Sequence, residues 1–360
     1  MSVIVPSFAY TIVRLVEFER LLIPQAIIEK IKDSKDIHTL LNLIKPFYPD
    51  IKPKGMKIAA IQKELIDSFV LIIGNIISFS PRELREFLKV FLIKYEILNL
   101  KKVIQSILVG ENIKDRHRKI NMLVEKYLDN KILFQDLLKS SSPEEVQILT
   151  NKTIYHQAII EGLLHFKNNN EIFYLLSFLD RVYFEIIGRN RIKTKRGFFG
   201  SNSKLKASLQ DYFGLLIELY NIKILMKNLA YDLPVNLVKQ LIFDDYFILN
   251  QKMLTSLVKV EAHDEFHNQL QENYKRSGNP YIFNFDITQL NQSEIYQKIK
   301  RNYFNRFFKK FRIQDDLFSY SCFNRVVRFL VRKENEIRDV ILPAITRILH
   351  QNLEKGKLVR

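Results

Sequence analysis

Glu96-Ile97-Leu98-Asn99-Leu100-Lys101 returns in altered form as Glu218-Leu219-Tyr220-Asn221-Ile222-Lys223, and again as Glu336-Ile337-Arg338-Asp339-Val340-Ile341. The shared phrase is Glu, two residues, Asn or Asp, then an aliphatic residue. Its copies lie 122 residues (96 to 218) and 118 residues (218 to 336) apart, close to a third of the 360-residue chain each time. Such a period is the mark of an internal repeat. Each copy ends an apolar stripe at helical spacing: Leu84, Phe87, Leu88, Phe91, Tyr95 and Leu98 before the first, Leu205, Leu209, Tyr212, Leu216 and Leu219 into the second, Phe323, Val326, Val327, Leu330 and Ile337 into the third. Residues three and four apart share a helix face, so each phrase puts its Glu and its Asn or Asp side by side on a long helix.

Composition agrees with long helices. There are only 10 Gly and 10 Pro in 360 residues, against usual shares of roughly 7% and 5%. Folds rich in tight turns spend those residues, and helices reject both. The expected fold is all-α: three similar helical modules of about 120 residues, at 1–112, 113–234 and 235–360. The polar run from Glu111 to Lys119 and the break at Asp232-Leu233-Pro234 mark the joints. Ser80-Pro81-Arg82-Glu83 and Ser142-Pro143-Glu144-Glu145 read as helix starts with Ser as N-cap and Pro in the first helical position. The first of these helices is expected to run from Pro81 to about Gly110. Lys167 to Asn170 reads as the turn of a helical hairpin, Arg189 to Ser203 as a basic loop, and Ser277-Gly278-Asn279-Pro280 as a break. Pro343 kinks the third helix if that helix continues through it.

Asn competes with its own backbone in a helix interior, so Asn99 and Asn221 are expected to be clamps that hydrogen-bond between helices. No catalytic, cofactor or metal site is expected. The single cysteine, Cys322, excludes disulfide scaffolds and thiolate zinc cages and fits a reducing compartment. No phosphate-binding glycine loop occurs. His263-Asp264-Glu265-Phe266-His267 has the i, i+4 spacing of a zinc helix without a third ligand, and reads as a solvated face. The longest apolar stretch, Phe69 to Phe79, is too short for a hydrocarbon layer of roughly 30 Å, and the N-terminus carries no secretory pattern.

Charge is the outlying property: 56 Lys and Arg against 39 Asp and Glu give +17. Two segments carry seven positive charges each without an acid. The first holds Arg189, Arg191, Lys193, Lys195, Arg196, Lys204 and Lys206, and the second Lys298, Lys300, Arg301, Arg306, Lys309, Lys310 and Arg312. Phe304, Phe307, Phe308 and Phe311 thread the second at helical spacing, which favours a buried stripe over a base-stacking surface. Phosphates, anionic membrane surfaces and acidic proteins are the partners such a charge attracts.

KYEILNLKKVI and LIELYNIKILMKN, with RKENEIRDVI near the C-terminus, resemble the repeated helix of the family that holds the V-type ATPase d subunit and the archaeal A-type ATP synthase C subunit. Leu179-Asp180-Arg181-Val182-Tyr183-Phe184 is similar to that family's Leu-Asp-x-x-Tyr-aromatic segment, and FAYTIVRLVE to its opening helix. The third copy departs from the pattern, with Asp339 in place of Asn and Ile341 in place of Lys. The resemblance implies three modules around a pseudo-threefold axis, forming a funnel. It implies a non-catalytic central-stalk rotor subunit, peripheral on the cytoplasmic face of a membrane, with the proteolipid ring and the central shaft as partners. It also assigns structural roles to Glu96, Asn99, Lys101, Glu218, Asn221, Lys223, Glu336, Asp339, Asp180, Arg181 and Tyr183, and leaves the basic segments as a contact surface. The competing reading is a basic helical repeat protein that binds RNA or DNA; the leading one involves no nucleic acid.

Overall fold

The computed structural model describes residues 7–52, 57–169, 171–195, 203–244, 247–310 and 318–354. Among these residues the chain is all helix and turn, with no strand. It divides into two compact units, residues 1–149 with 316–360, and residues 150–315.

The first unit is built around a hairpin of long helices. Three short elements lead in: α1 (Phe8–Glu19), α2 (Gln25–Asp33) and α3 (Ile37–Ile44). The hairpin is α4 (Ile58–Phe79) and α5 (Arg82–Leu108), and four short helices follow: α6 (Ile113–Lys119), α7 (Met122–Tyr127), α8 (Lys131–Lys139) and α9 (Pro143–Leu149). Side-chain caps start most of the short pieces. Ser7, Asp36, Asn112 and Asn121 accept from backbone amides two or three residues on, supplying partners that a helix start otherwise lacks. The α4–α5 seam is aromatic, with the Phe69 ring edge-on to Phe91 at 6.4 Å and Tyr95 at 6.1 Å.

The second unit repeats the plan. It has α10 (His156–Asn169) and the long pair α11 (Ile172–Lys195) and α12 (Ser203–Tyr231). The shorter α13 (Val235–Leu241), α14 (Gln251–Val258) and α15 (His263–Arg276) follow, and then α16 (Gln292–Lys310). The chain then returns to the first unit with α17 (Phe318–Asn335) and α18 (Leu342–Glu354). There α17 lies on α1, held by the Arg325 and Glu19 ion pair at 2.5 Å, and its Phe323 meets Phe87 of α5 at 4.8 Å.

Local details depart from the sequence expectations in four places. Pro81, not Ser80, is the N-cap of α5, because the Ser80 hydroxyl turns back to the Ile76 carbonyl, 2.6 Å away, and finishes α4. Ser142 does cap α9 by accepting from the Glu145 amide, but the Glu145 carboxylate takes the Ser141 amide and hydroxyl, so the cap is spread over two serines. Arg189 to Lys195 is helical rather than loop, since α11 runs on to Lys195; residues 196–202 lie outside the described residues. Finally, the chain passes Pro343 through a π-helical turn, Glu336–Ile341, set between α17 and α18. Pro343 has no amide hydrogen to give the Asp339 carbonyl, and a π turn is how a helix absorbs such a gap.

The 122-residue shift between the first two phrases extends to the helix tips that follow them. Gly110 and Asp232 both have left-handed backbone, with φ of 75° and 47°. On either side of each stand two exposed apolar residues, Val109 and Ile113 in one unit, Tyr231 and Val235 in the other.

Candidate functional site

Three glutamates, one from each phrase, are buried at 2%, 1% and 5% exposure: Glu96, Glu218 and Glu336. A carboxylate so deep in a helical core must be met by donors, by a cation or by a proton. Each of the three is met differently.

In the first copy Asn99 holds the start of α7. Its amide donates to the Asn121 carbonyl at 2.9 Å, and its oxygen accepts from the Asn121 amide at 2.9 Å. The same Asn99 amide lies 2.6 Å from Glu125 Oε1 on α7. Glu96, one turn earlier on α5, accepts from the Asn130 amide at 2.5 Å. Glu125 is fully buried, and burial together with the neighbouring Glu96 pushes its carboxyl up to about 9.

In the second copy Asn221 makes the same two-way bond 22 residues downstream. It donates to the Phe243 carbonyl at 2.8 Å and accepts from the Phe243 amide at 2.9 Å. Glu218 accepts from the Ile248 and Leu249 amides at 2.6 and 2.9 Å, and from the Tyr303 hydroxyl, which stands 3.0 Å from the Tyr274 hydroxyl. Burial raises the Glu218 carboxyl, and the Tyr303 and backbone donors oppose that rise.

In the third copy the partners come from the other end of the chain. Glu336 accepts from the Ile23 amide at 2.8 Å and pairs with Lys333 at 3.1 Å. Lys333 is itself fully buried, lies 3.7 Å from the Tyr48 ring, and donates to the Leu21 and Phe47 carbonyls at 2.5 and 3.1 Å. Burial pulls this ammonium down to about 8, against the pull of Glu336. Asp339 does not clamp: the π turn rotates it off the face of Glu336, and it is exposed and paired with Arg338 at 2.7 Å.

The Asp180 to Phe184 segment lies on α11. Arg181 is within 3.5 Å of Glu185 and 4.0 Å of Glu161, and its guanidinium stands 5.7 Å from the Phe243 ring. The backbone of that same Phe243 is gripped by Asn221, so the two sequence signals converge on one residue. Arg181 also lines a cleft of about 480 Å³ with His165, Lys239 and Asp244. Tyr183 is buried against Phe184, which stacks on Tyr220 at 4.1 Å. Lys101 is half-buried on α5, and Lys223 is exposed on α12.

The basic residues do not gather into one face. Arg191 is buried beside Gly214, where an added Cβ would come within 3.0 Å of its guanidinium. Lys298, Lys300 and Arg306 stand within 6 Å of Phe285, Phe304 and Phe247 respectively, and Lys310 pairs with Asp211 at 2.5 Å. Arg189, Arg301 and Lys309 are exposed. Lys193 and Lys195 lie at the end of α11; Arg196 and Arg312 lie outside the described residues. His267 corrects another expectation. It is buried at 5% exposure and stacked on Phe283, because it falls on the inner face of α15 with Phe266 and Leu270. Among the described residues no group of three or more His, Cys, Asp and Glu side chains is placed to hold a metal ion.

Sequence reasoning missed the groups that complete the clamps: Glu125, Asn130, Tyr274, Tyr303 and Lys333. No local sequence signal marks them; the equal 22-residue step from Asn99 to Asn121 and from Asn221 to Phe243 emerges only from the contacts.

These contacts define a helical repeat protein whose recurrent polar groups join its own helices. The chain belongs to the ATP synthase (C/AC39) subunit family, whose model matches residues 11–358. It is similar to the A-type ATP synthase C subunit of Methanocaldococcus jannaschii, with 23% identity over 239 residues, 64% of this chain. The match spans about 56% of that relative's length.

Proposed function

We propose that this chain is a non-catalytic central-stalk subunit of a rotary V/A-type ATPase. It seats on the membrane proteolipid ring, receives the rotating shaft, and passes torque between ATP hydrolysis or synthesis and ion transport. The observation that carries this reading is the family match over residues 11–358, on a chain whose motif residues join its own helices. A torque coupler needs stiff, close-packed helices and broad contacts, and its motif residues serve it best as struts.

Two features support the reading. No described helix is long and apolar enough to cross a membrane, which suits a subunit held peripherally, on the cytoplasmic face, through its partners. Val109, Ile113, Tyr231 and Val235, between 45% and 76% exposed at matching tips, offer apolar contact points in both units. In the same proposal, the chain is organised as three modules, 1–112, 113–234 and 235–360, about a pseudo-threefold axis in a funnel. Nucleic acid is disfavoured as a partner because Lys298, Lys300 and Arg306 lie over aromatic rings and Lys310 is paired with Asp211.

The test is an affinity pull-down of the tagged chain from gently solubilised native membranes, at near-physiological salt and with nuclease, followed by mass spectrometry. Recovery of proteolipid and shaft subunits is the expected outcome. Recovery of neither, with nucleic acid dominating a sample prepared without nuclease, would overturn it.

A further inference from the structure

We infer that residues 21–48 form a strap buckled at both ends by the Lys333 and Glu336 pair, and that this strap opens as one piece and takes up a proton as it opens. The inference rests on contacts inside the first unit and stands independently of the rotary reading.

One ion pair meets both ends of the segment. At the front, Lys333 Nζ donates to the Leu21 carbonyl at 2.5 Å, and the Ile23 amide donates to Glu336 at 2.8 Å. At the back, the same Nζ donates to the Phe47 carbonyl at 3.1 Å and lies 3.7 Å from the Tyr48 ring, whose hydroxyl stands 3.5 Å from Glu336. Lys333 and Glu336 are 3.1 Å apart. Between the two ends run α2 and α3, of nine and eight residues, too short to persist in water on their own. Their Ile31, Leu40 and Ile44 are fully buried, and Arg347 of α18 donates to the Ser34 carbonyl between them at 2.9 Å. Short helices that share one fastening let go together. Taking both charges out of water offsets much of their attraction, so such a pair fixes position more than it adds stability.

The proton follows from where Lys333 sits. Its side chain is wholly buried, and opening returns it to water. The groups that face it are Glu336, which favours the charged form, and Tyr48, whose own proton is held by burial and by Glu336. Other charges on the packed elements are paired or turned outward. On α1, Arg14 pairs with Glu17 and Glu19 with Arg325. On α4, Lys63 and Glu64 lie beside Asp67, and on α5, Lys94 pairs with Glu334. Arg338 pairs with Asp339, and Arg332, Arg347 and His350 are exposed. Along the strap every charged residue from Arg20 to Lys45 is exposed, His38 included.

Burial outweighs the pull of Glu336 and brings the Lys333 ammonium down to about 8, whereas a lysine in water titrates at about 10.4. Between these values the closed strap binds fewer protons than the open one, so closure strengthens as pH rises through the window. Below it both forms are charged and the opening constant is flat and at its largest.

Hydrogen exchange of the full chain, read by mass spectrometry and corrected for the intrinsic rise of exchange with pH, follows the opening. Amides of residues 21–48 are expected to share one opening constant, larger than that of α4 and α5. That constant should be about tenfold smaller at pH 9 than at pH 7. The double variant Lys333→Met with Glu336→Gln fills the same space without charge, and its strap should open equally at both pH values. Exchange of residues 21–48 only in step with α4 and α5, or a parent opening constant that does not fall between pH 7 and 9, would overturn the inference. The parent's two profiles decide it even where the double variant fails to fold.

Discussion

The Glu96 and Glu218 regions start from the same phrase and the same 22-residue clamp, yet the groups that gather round their buried carboxylates differ. Glu218 is surrounded by donors, two backbone amides and the Tyr303 hydroxyl. Glu96 faces a second acid. The Asn therefore sets the joint between the long helix and the next segment, while the treatment of the charge is left to whatever the following helices supply. The third copy extends the series: it drops the Asn and uses a buried lysine.

The largest break is expected there. Lys333→Met strands Glu336 and the Leu21 and Phe47 carbonyls, and losing one partner of a buried pair costs about 3–5 kcal/mol. Urea denaturation should report it, and an unchanged midpoint would show that the buried pair carries no net stability.

Next come the clamps themselves. Asn99→Leu leaves the buried Asn121 amide and carbonyl unpaired, at about 1–3 kcal/mol per group, and Asn221→Leu leaves the part-buried ones of Phe243, toward the lower end of that range. Asn99→Leu should cost more, because it also removes a donor from Glu125; equal losses would mean that the second acid adds nothing to the joint.

The glycines sharpen the same contrast. A Cβ on Gly74 would overlap the Tyr127 ring, whereas on Gly214 the nearest atoms are the Phe247 ring at 2.8 Å and the flexible end of Arg191 at 3.0 Å. Gly74→Ala is expected to lose about 1–3 kcal/mol through overpacking, with Gly214→Ala milder. Thermal melts of the two variants compare them directly, and a Gly214→Ala loss as large as that of Gly74→Ala would contradict this account.

The smallest effect distinguishes the two ways of handling charge. Glu218→Gln presents one amide nitrogen to a site built of donors and should destabilise by about 1 kcal/mol, while Glu125→Gln stabilises at alkaline pH. Folded Glu125 keeps its proton up to about 9, whereas an unfolded one loses it at about 4.3, so the parent loses stability relative to that variant as pH rises between the two. Matching signs for the two substitutions at pH 8 would remove the distinction.

The helical class, the repeat and the neighbouring Glu and Asn were legible in the sequence, because periodicity and composition are local properties. The donors were not. Glu125 sits in Met-Leu-Val-Glu-Lys-Tyr and Lys333 in Arg-Lys-Glu-Asn, stretches that read as ordinary charged helix surface. Their burial depends on segments 29 residues (96 to 125) and 312 residues (21 to 333) away, to which no local rule reaches. His267 is different: its inner position follows from the apolar face it shares with Phe266 and Leu270 on α15, a local periodicity that the i, i+4 histidine spacing drew attention away from. The π turn was foreshadowed by Pro343, but the exposure of Asp339 needed the backbone.

The capture of Leu21 and Ile23 by Lys333 and Glu336 also fixes an order of events during synthesis. Residues 150–315 make one unit from a continuous stretch of chain and need nothing made later, whereas the contacts of Leu21 require a helix made 312 residues later. At about 5–20 residues per second, that is a delay of about 15–60 s on the ribosome. A nascent chain arrested before Lys333 is expected to show a folded second unit and an Ile23 amide that still exchanges freely with solvent.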